Sequence, residues 1–170
     1  MDKIVFRQLK PSDFPAVYRW VKEIEKEDTF IVINAAEPIT LKEEKQYFKD
    51  LFKKIKQKRA VKIAVFSGKK YLGSGDIERG GKRQSHIGIF GIALSKECRG
   101  RGIGFRLAQE TIKLAKEKMG IKQIILTCFA NNKIGISFYH KLGFIQYSRH
   151  PRAVFYKGKY IDSIWFYKDL

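Results

Sequence analysis

The residues best placed to do chemistry are Cys98-Arg99-Gly100-Arg101-Gly102-Ile103-Gly104-Phe105, where glycines alternate with basic side chains. Gly100, Gly102 and Gly104 can take backbone angles closed to other residues and carry no Cβ, so several N–H groups can turn toward one anion. The run joins a strand-like segment, Ile87 to Leu94, to a helical one, Ile103 to Met119. A helix starting there adds unpaired amides and the positive end of its dipole, while Arg99 and Arg101 supply charge and forked donors. The pattern predicts a pyrophosphate cradle, with a basic glycine turn that holds no ligand as the alternative. Two common cradles are excluded by spacing: G-x-G-x-x-G would need glycine where Phe105 stands, and the Gly-Lys-Ser/Thr ending of a P-loop is absent.

What fits is R-x-x-G-x-G, read as Arg99 to Gly104, and with it the chain resembles the GNAT superfamily of acetyl-CoA-dependent N-acetyltransferases. A second block, Asn131 to Phe144, resembles that family's N-x-x-A-x-x-x-Y-x-x-x-G-F segment, with Asn132 and Tyr139 in register and Gly135 replacing the usual alanine. Tyr156 to Trp165 resembles the ending of a subgroup related to ribosomal-protein and small-amine acetyltransferases. The likeness is strong from Gly88 to Phe144 and weak before Ala60, the part that shapes an acceptor site.

The resemblance implies one α/β (α+β) domain over residues 1–170. Its central sheet would be mixed and mostly antiparallel, of about seven strands flanked by about four helices, and splayed between the fourth and fifth strands. It also implies acetyl-CoA as cosubstrate, no metal, and direct attack of a primary amine in a ternary complex. Arg99, Gly100, Arg101, Gly102, Ile103 and Gly104 would hold the pyrophosphate. Backbone of Ile92, Ala93 and Leu94 would pair with the pantetheine arm, one N–H near Ile92 facing the thioester oxygen. Tyr139 would give a proton to the departing thiolate, its alternative being helix packing. Asn132 would bond the pantetheine arm, and serves equally well as a helix N-cap.

The general base is less plain. Many relatives carry a glutamate near the position of Ile89, which is apolar here. The remaining groups near the expected cleft are Glu78 as candidate base, Glu37 and Asp76 as candidate amine-binding carboxylates, and His86; each also reads as an ordinary surface group. An α-amine titrates near about 7.7–8.0 and a lysine near about 10.4, so an N-terminal acceptor could lose its proton through water alone.

The elements that must position these groups follow from pattern. Lys3 to Leu9 alternates as a strand, and Pro11-Ser12-Asp13 opens a helix running to about Glu27. Thr40-Leu41-Lys42-Glu43 is a capping box before a helix whose apolar stripe is Leu41, Phe48, Leu51, Phe52 and Ile55. Between those helices Asp28 to Ile39 has no helical period and, by the resemblance, is the substrate-side loop. Ala60 to Phe66 and Tyr71 to Glu78 form a hairpin, and Met119-Gly120 ends the helix that begins at Ile103. Gln123 to Phe129 reads as a buried strand; Phe144 to Tyr147 and Tyr160 to Tyr167 close the sheet.

The 170 residues, 44% of them hydrophobic, suffice for one substantial core. No apolar run reaches the length of a membrane span, and Met1-Asp2-Lys3 runs straight into a strand pattern, so a cytoplasmic protein without membrane attachment is expected, as monomer or homodimer. Cys98 and Cys128 lack metal-ligand spacing with the histidines and read as reduced packing residues, Cys98 with a thiol pKa that the neighbouring basic loop could lower. The formal charge of +18 predicts weak attraction to polyanions such as ribosome or nucleic acid, although the lysines are scattered. It favours an acidic or ribosome-bound protein N-terminus over a small amine or polyamine. A non-catalytic acyl-CoA- or polyanion-binding module is the competing class.

Overall fold

The computed structural model describes residues 3–27, 29–31 and 37–170. Its elements are β1 (Ile4–Gln8), α1 (Phe14–Ile24), α2 (Leu41–Lys56), β2 (Ala60–Ser67), β3 (Lys70–Arg79), β4 (Ile87–Leu94), α3 (Ile103–Met119), β5 (Gln123–Phe129), α4 (Lys133–Lys141), β6 (Ile145–Tyr156) and β7 (Lys159–Asp169). The strands make one seven-stranded sheet in the order β1-β2-β3-β4-β5-β7-β6. Every neighbouring pair is antiparallel except β4 and β5. This is the mixed, mostly antiparallel arrangement expected.

Period-two alternation in β2 sorts the helices onto opposite faces. Ala60, Ala64 and Phe66 pack with Trp20, Val21 and Ile24 of α1 and with Phe48 and Leu51 of α2. Ile63 and Val65, pointing the other way, pack with Ile103 and Leu107 of α3. The expected capping box starts α2: the Thr40 hydroxyl accepts from the Glu43 amide at 3.2 Å, and the Glu43 carboxylate accepts from the Thr40 amide at 2.8 Å. Leu41 is a correction, since it is 44% exposed, whereas Glu44 on the same stripe is only 4% exposed. The first turn of α2 thus puts a carboxylate where the pattern calls for an apolar side chain.

β6 also departs from expectation. It runs well past Tyr147 to Tyr156, and nearly all its side chains are exposed. A strand at the sheet edge with neither face covered has no hydrophobic alternation to read. Pro151 is tolerated there because an edge strand leaves amides outside the ladder.

The height of α3 over the sheet is set by Gly75. A Cβ built on it would lie 2.8 Å from Thr111 Oγ1 and 3.3 Å from Leu107 Cγ. That hydroxyl is itself committed to the Leu107 carbonyl at 2.7 Å. Gly75→Ala is therefore expected to lower unfolding free energy by about 1–3 kcal/mol through overpacking. A chemical-denaturation midpoint equal to the parent's would show that α3 can ride up without loss.

Candidate active site

β4 and β5 pair only through Ile87–Gln123, Gly88–Ile124 and Ile89–Ile125. Past Ile89 each strand stays on its other neighbour: Phe90 to Leu94 remain paired with β3, and Leu126 to Phe129 with β7. The gap between them leaves one backbone edge of residues 90–94 outside the ladder, which is the expected splay. A cleft of about 880 Å³ opens there. Phe90 to Ala93 line one wall, and Thr127, Cys128, Asn132 and Tyr139 line the opposite one. The roof comes from α1, α2 and the segment before α2.

The glycine loop leads directly from β4 into α3. Gly100 and Gly102 have φ of +72° and +75°, left-handed angles that favour glycine, and Gly102 is the N-cap of α3. The amides of Gly100, Gly102, Ile103, Gly104 and Phe105 donate to no backbone carbonyl of the described residues; Arg106 is the first that does, to Gly102 at 3.2 Å. Such amides at a helix start are donors of the kind an anion can take. The arginines are more committed than expected. The Arg99 guanidinium donates to the Leu94 carbonyl at 3.0 Å and pairs with Glu27, and Arg101 donates to the Glu97 carbonyl. The loop's unbonded donors are thus its backbone amides, with the charge of these arginines nearby. Cys98 corrects another expectation: it is 1% exposed, and burial together with Glu97 pushes its thiol up, outweighing the nearby basic groups.

On the opposite wall Tyr139 packs its ring on Phe138, Phe144 and Phe166. Its hydroxyl has no hydrogen-bond partner among the described residues, and the side chain lines the cleft. Burial, with Cys128 nearby, pushes the phenol well above its ordinary range, so it stays protonated. Asn132 caps α4, its Oδ1 accepting from the Gly135 amide at 2.9 Å, while its side chain also borders the cleft. Gly135 is explained by that cap: a Cβ there would lie 2.5 Å from Asn132 Nδ2.

The carboxylates separate. Asp76 lines the cleft beside Gly91; a Cβ on that glycine would sit 3.5 Å from Asp76 Oδ2. Its Oδ1 meets Lys62 Nζ at 3.2 Å, and Lys62 also donates to the Tyr47 hydroxyl at 3.2 Å. Burial opposes the charge on Lys62, but Asp76 and the two tyrosines, Tyr71 and Tyr47, hold its pKa above the usual lysine value. Glu37 lines the cleft, while residues 28 and 32–36 of the expected substrate loop lie outside the described residues. Glu78 is not brought into the cleft. It shares a face with Asp76, but Lys54 near the end of α2 pairs with it at 2.6 Å. His86 is exposed and outside the cleft lining, and Ile89 is 54% exposed.

Sequence reasoning missed Glu44, Tyr47 and Lys62, which also line the cleft. Two of them carried a signal. Glu44 stands on the apolar stripe between Leu41 and Phe48, and Lys62 is a lone charge in the apolar run Ala60 to Phe66.

A seven-stranded sheet opened at its single parallel join, with a glycine loop feeding a helix N-terminus beside the opening, defines a class, and comparison with known proteins agrees. The pattern of the Acetyltransferase (GNAT) family matches residues 15–144, and the chain belongs to that family. The solved structure of a GNAT-family acetyltransferase from Streptococcus pneumoniae superposes with a TM-score of 0.88 at 21% identity, covering 99% of this chain and 100% of that one. The structure of yncA from Salmonella typhimurium with its cofactor acetyl-CoA gives 0.83 at 14% identity over 98% and 94%. In sequence, N-alpha-acetyltransferase 30 of Schizosaccharomyces pombe is 35% identical over 74 residues, 44% of this chain and 47% of that protein. The chain spans about half the length of the curated relatives it matches.

Cys128, 6% exposed in the cleft wall, gives this site a measurable electrostatic signature. Burial pushes its thiol from 9.0 to about 11. Between those values the folded protein keeps a proton that the unfolded chain has released, so stability is lost as pH rises through that window. The slope from this group is at most about 1.4 kcal/mol per pH unit. Cys128→Ala is expected to flatten the fall of denaturation free energy over that range relative to the parent; an unchanged slope would mean that the thiol is better solvated than its position indicates.

Proposed function

We propose that the protein transfers an acetyl group from acetyl-CoA to a primary amine, by direct attack within a ternary complex. The observation that carries this reading is the opening between β4 and β5: the unpaired backbone edge of residues 90–94 and the unpartnered Tyr139 hydroxyl face the cleft there, and the loop after β4 carries its unbonded amides into α3 beside it.

The donor set fits acetyl-CoA. Amides of Gly100, Gly102, Ile103 and Gly104 suit a pyrophosphate, with Arg99 and Arg101 adding charge beside them. The open edge at Ile92, Ala93 and Leu94 can accept pantetheine amides as a partial strand, and Asn132 borders the same path from across the gap. When bound, acetyl-CoA supplies an activated thioester. Around it, an N–H near Ile92 polarises the carbonyl, and Tyr139 holds a proton at its hydroxyl for the departing sulfur. Asp76, with Oδ2 against Gly91, is placed to accept a hydrogen bond from the incoming amine and orient its lone pair. Glu37 lies further along the same cleft. Proton removal by water suits an α-amine best. The likeness to a relative named as an N-alpha-acetyltransferase supports a peptide N-terminus as one acceptor class, a small amine being the other. A pure acyl-CoA-binding module would use the loop but would not need Tyr139 with its proton exposed to the cleft.

Tyr139→Phe is expected to lower kcat by roughly 100-fold with acetyl-CoA affinity kept, the mark of a positioned acid. Gly104→Val fills loop space where a Cβ already meets Leu94 at 3.4 Å and should remove acetyl-CoA binding in calorimetry while circular dichroism stays native. Normal acetyl-CoA affinity in the valine variant, or undiminished thiol release by the phenylalanine variant, would refute the corresponding assignment.

A further inference from the structure

The acceptor side of the cleft holds a buried carboxyl that no hydrogen-bond donor among the described residues meets. Of the carboxylates bordering it, Glu43 is used by the Thr40 cap and Asp76 by Lys62. Glu44, 4% exposed, has no hydrogen bond or ion pair from its carboxylate among the described residues, yet it lines the cleft. Neighbouring charge does not replace a partner. Glu25, buried at the end of α1, is satisfied by Lys22 at 2.8 Å and by the Ile39 amide at 2.7 Å, and it acts on Glu44 as a like charge. The opposite charge that reaches Glu44 is Lys62, already bonded to Asp76 and Tyr47. Burial pushes the Glu44 carboxyl up against the pull of Lys62. The Lys62, Asp76 and Glu44 group therefore sets two carboxyl groups against one ammonium, and only Asp76 is bonded to it.

Position within the sheet says which end of a ligand would supply a donor to Glu44. Asp76 pairs across the ladder with Gly91, next to Ile92, so it stands at the reacting end. Lys62 lies one strand further out, opposite Asp76, and β2 is about two strand spacings, roughly 10 Å, from β4. Glu44, held over Lys62 by α2, marks the remote end. The walls between include Trp20, Tyr47, Phe48 and Tyr71, whose rings suit a cation flanked by methylenes.

Resting on the acetyltransferase reading above, we propose that the acceptor is a primary amine bearing a second cationic group, which Glu44 holds while the reacting amine sits at Asp76 and Ile92. A buried carboxylate without a donor gains a charge-assisted hydrogen bond when such a ligand enters. The net charge of +18 argues the other way only at long range, because salt screens exposed charges over about 8–10 Å and the contact itself is inside the cleft.

The test compares matched pairs: putrescine with butylamine, and a dipeptide amide with lysine second against the same peptide with norleucine. The parent should prefer the dication of at least one pair by roughly tenfold or more in kcat/KM, and which pair shows it separates a small diamine from a peptide source. Glu44→Gln should erase that preference mainly through KM, Glu44→Asp should keep part of it, and Asp76→Asn should impair both members of a pair alike. Equal use of monocation and dication by the parent, or a preference retained in Glu44→Gln, would overturn the proposal. Should no amine release thiol, the acetyltransferase reading fails separately. Calorimetry of putrescine and butylamine on parent and Glu44→Gln protein then decides the role of Glu44 by the same criterion.

Discussion

Everything in this molecule hangs on a parallel join of three residue pairs between β4 and β5. Below the join the sheet is continuous; above it two strands keep their outer partners and lose each other. Buried backbone groups seek hydrogen bonds, and an edge that opens inside a protein rather than at its rim is a place where something else is expected to bind. The loop after β4 and the helix after β5 flank this opening from opposite sides, which is why the glycine loop and Tyr139, distant in sequence, stand beside one opening. The divergence also leaves Gly91 without a partner on the β5 side, and Asp76 is the side chain nearest a Cβ built on it.

A second constraint is the charge set within the sheet. Lys62 has a side chain only 10% exposed, yet it lies in a strand whose neighbouring positions are apolar. An ammonium so placed is tolerable because Asp76 pairs with it and the Tyr47 hydroxyl accepts from it, and removing Asp76 would take away the carboxylate bonded to it. The protein as a whole is strongly cationic, but the lining of its cleft is weighted toward carboxylates. Global charge and local field therefore carry opposite signs, and the sequence total is a poor guide to what the cleft attracts.

Much of the donor half was legible in the chain. The α3 boundaries at Ile103 and Met119 coincide with the expected ones because both stops are written locally, by Gly102 and Gly120 at positive φ. The same holds for the Thr40 capping box. The acceptor half was legible only in part. Asp76 and Glu78 look equivalent on one strand, each paired with a lysine in the fold, and only tertiary position shows that Asp76 borders the cleft and Glu78 does not. Glu44 interrupts a hydrophobic stripe, which could have marked it, but helical periodicity rewards the apolar positions and passes over the exception. The length of β6 could not be read at all, since a strand exposed on both faces has no buried period.

The open edge at residues 90–94 has a thermodynamic consequence. A cofactor seated there would act as a missing strand, joining two halves of the sheet that otherwise meet at three residue pairs. Any ligand that binds the folded state alone adds RT ln(1 + [L]/Kd) to its stability, about 2.7 kcal/mol at a hundredfold excess over Kd. With such a ligand, resistance to local opening of this sheet would follow the cellular ratio of free cofactor to its dissociation constant, making the fold's durability a reporter of cofactor supply.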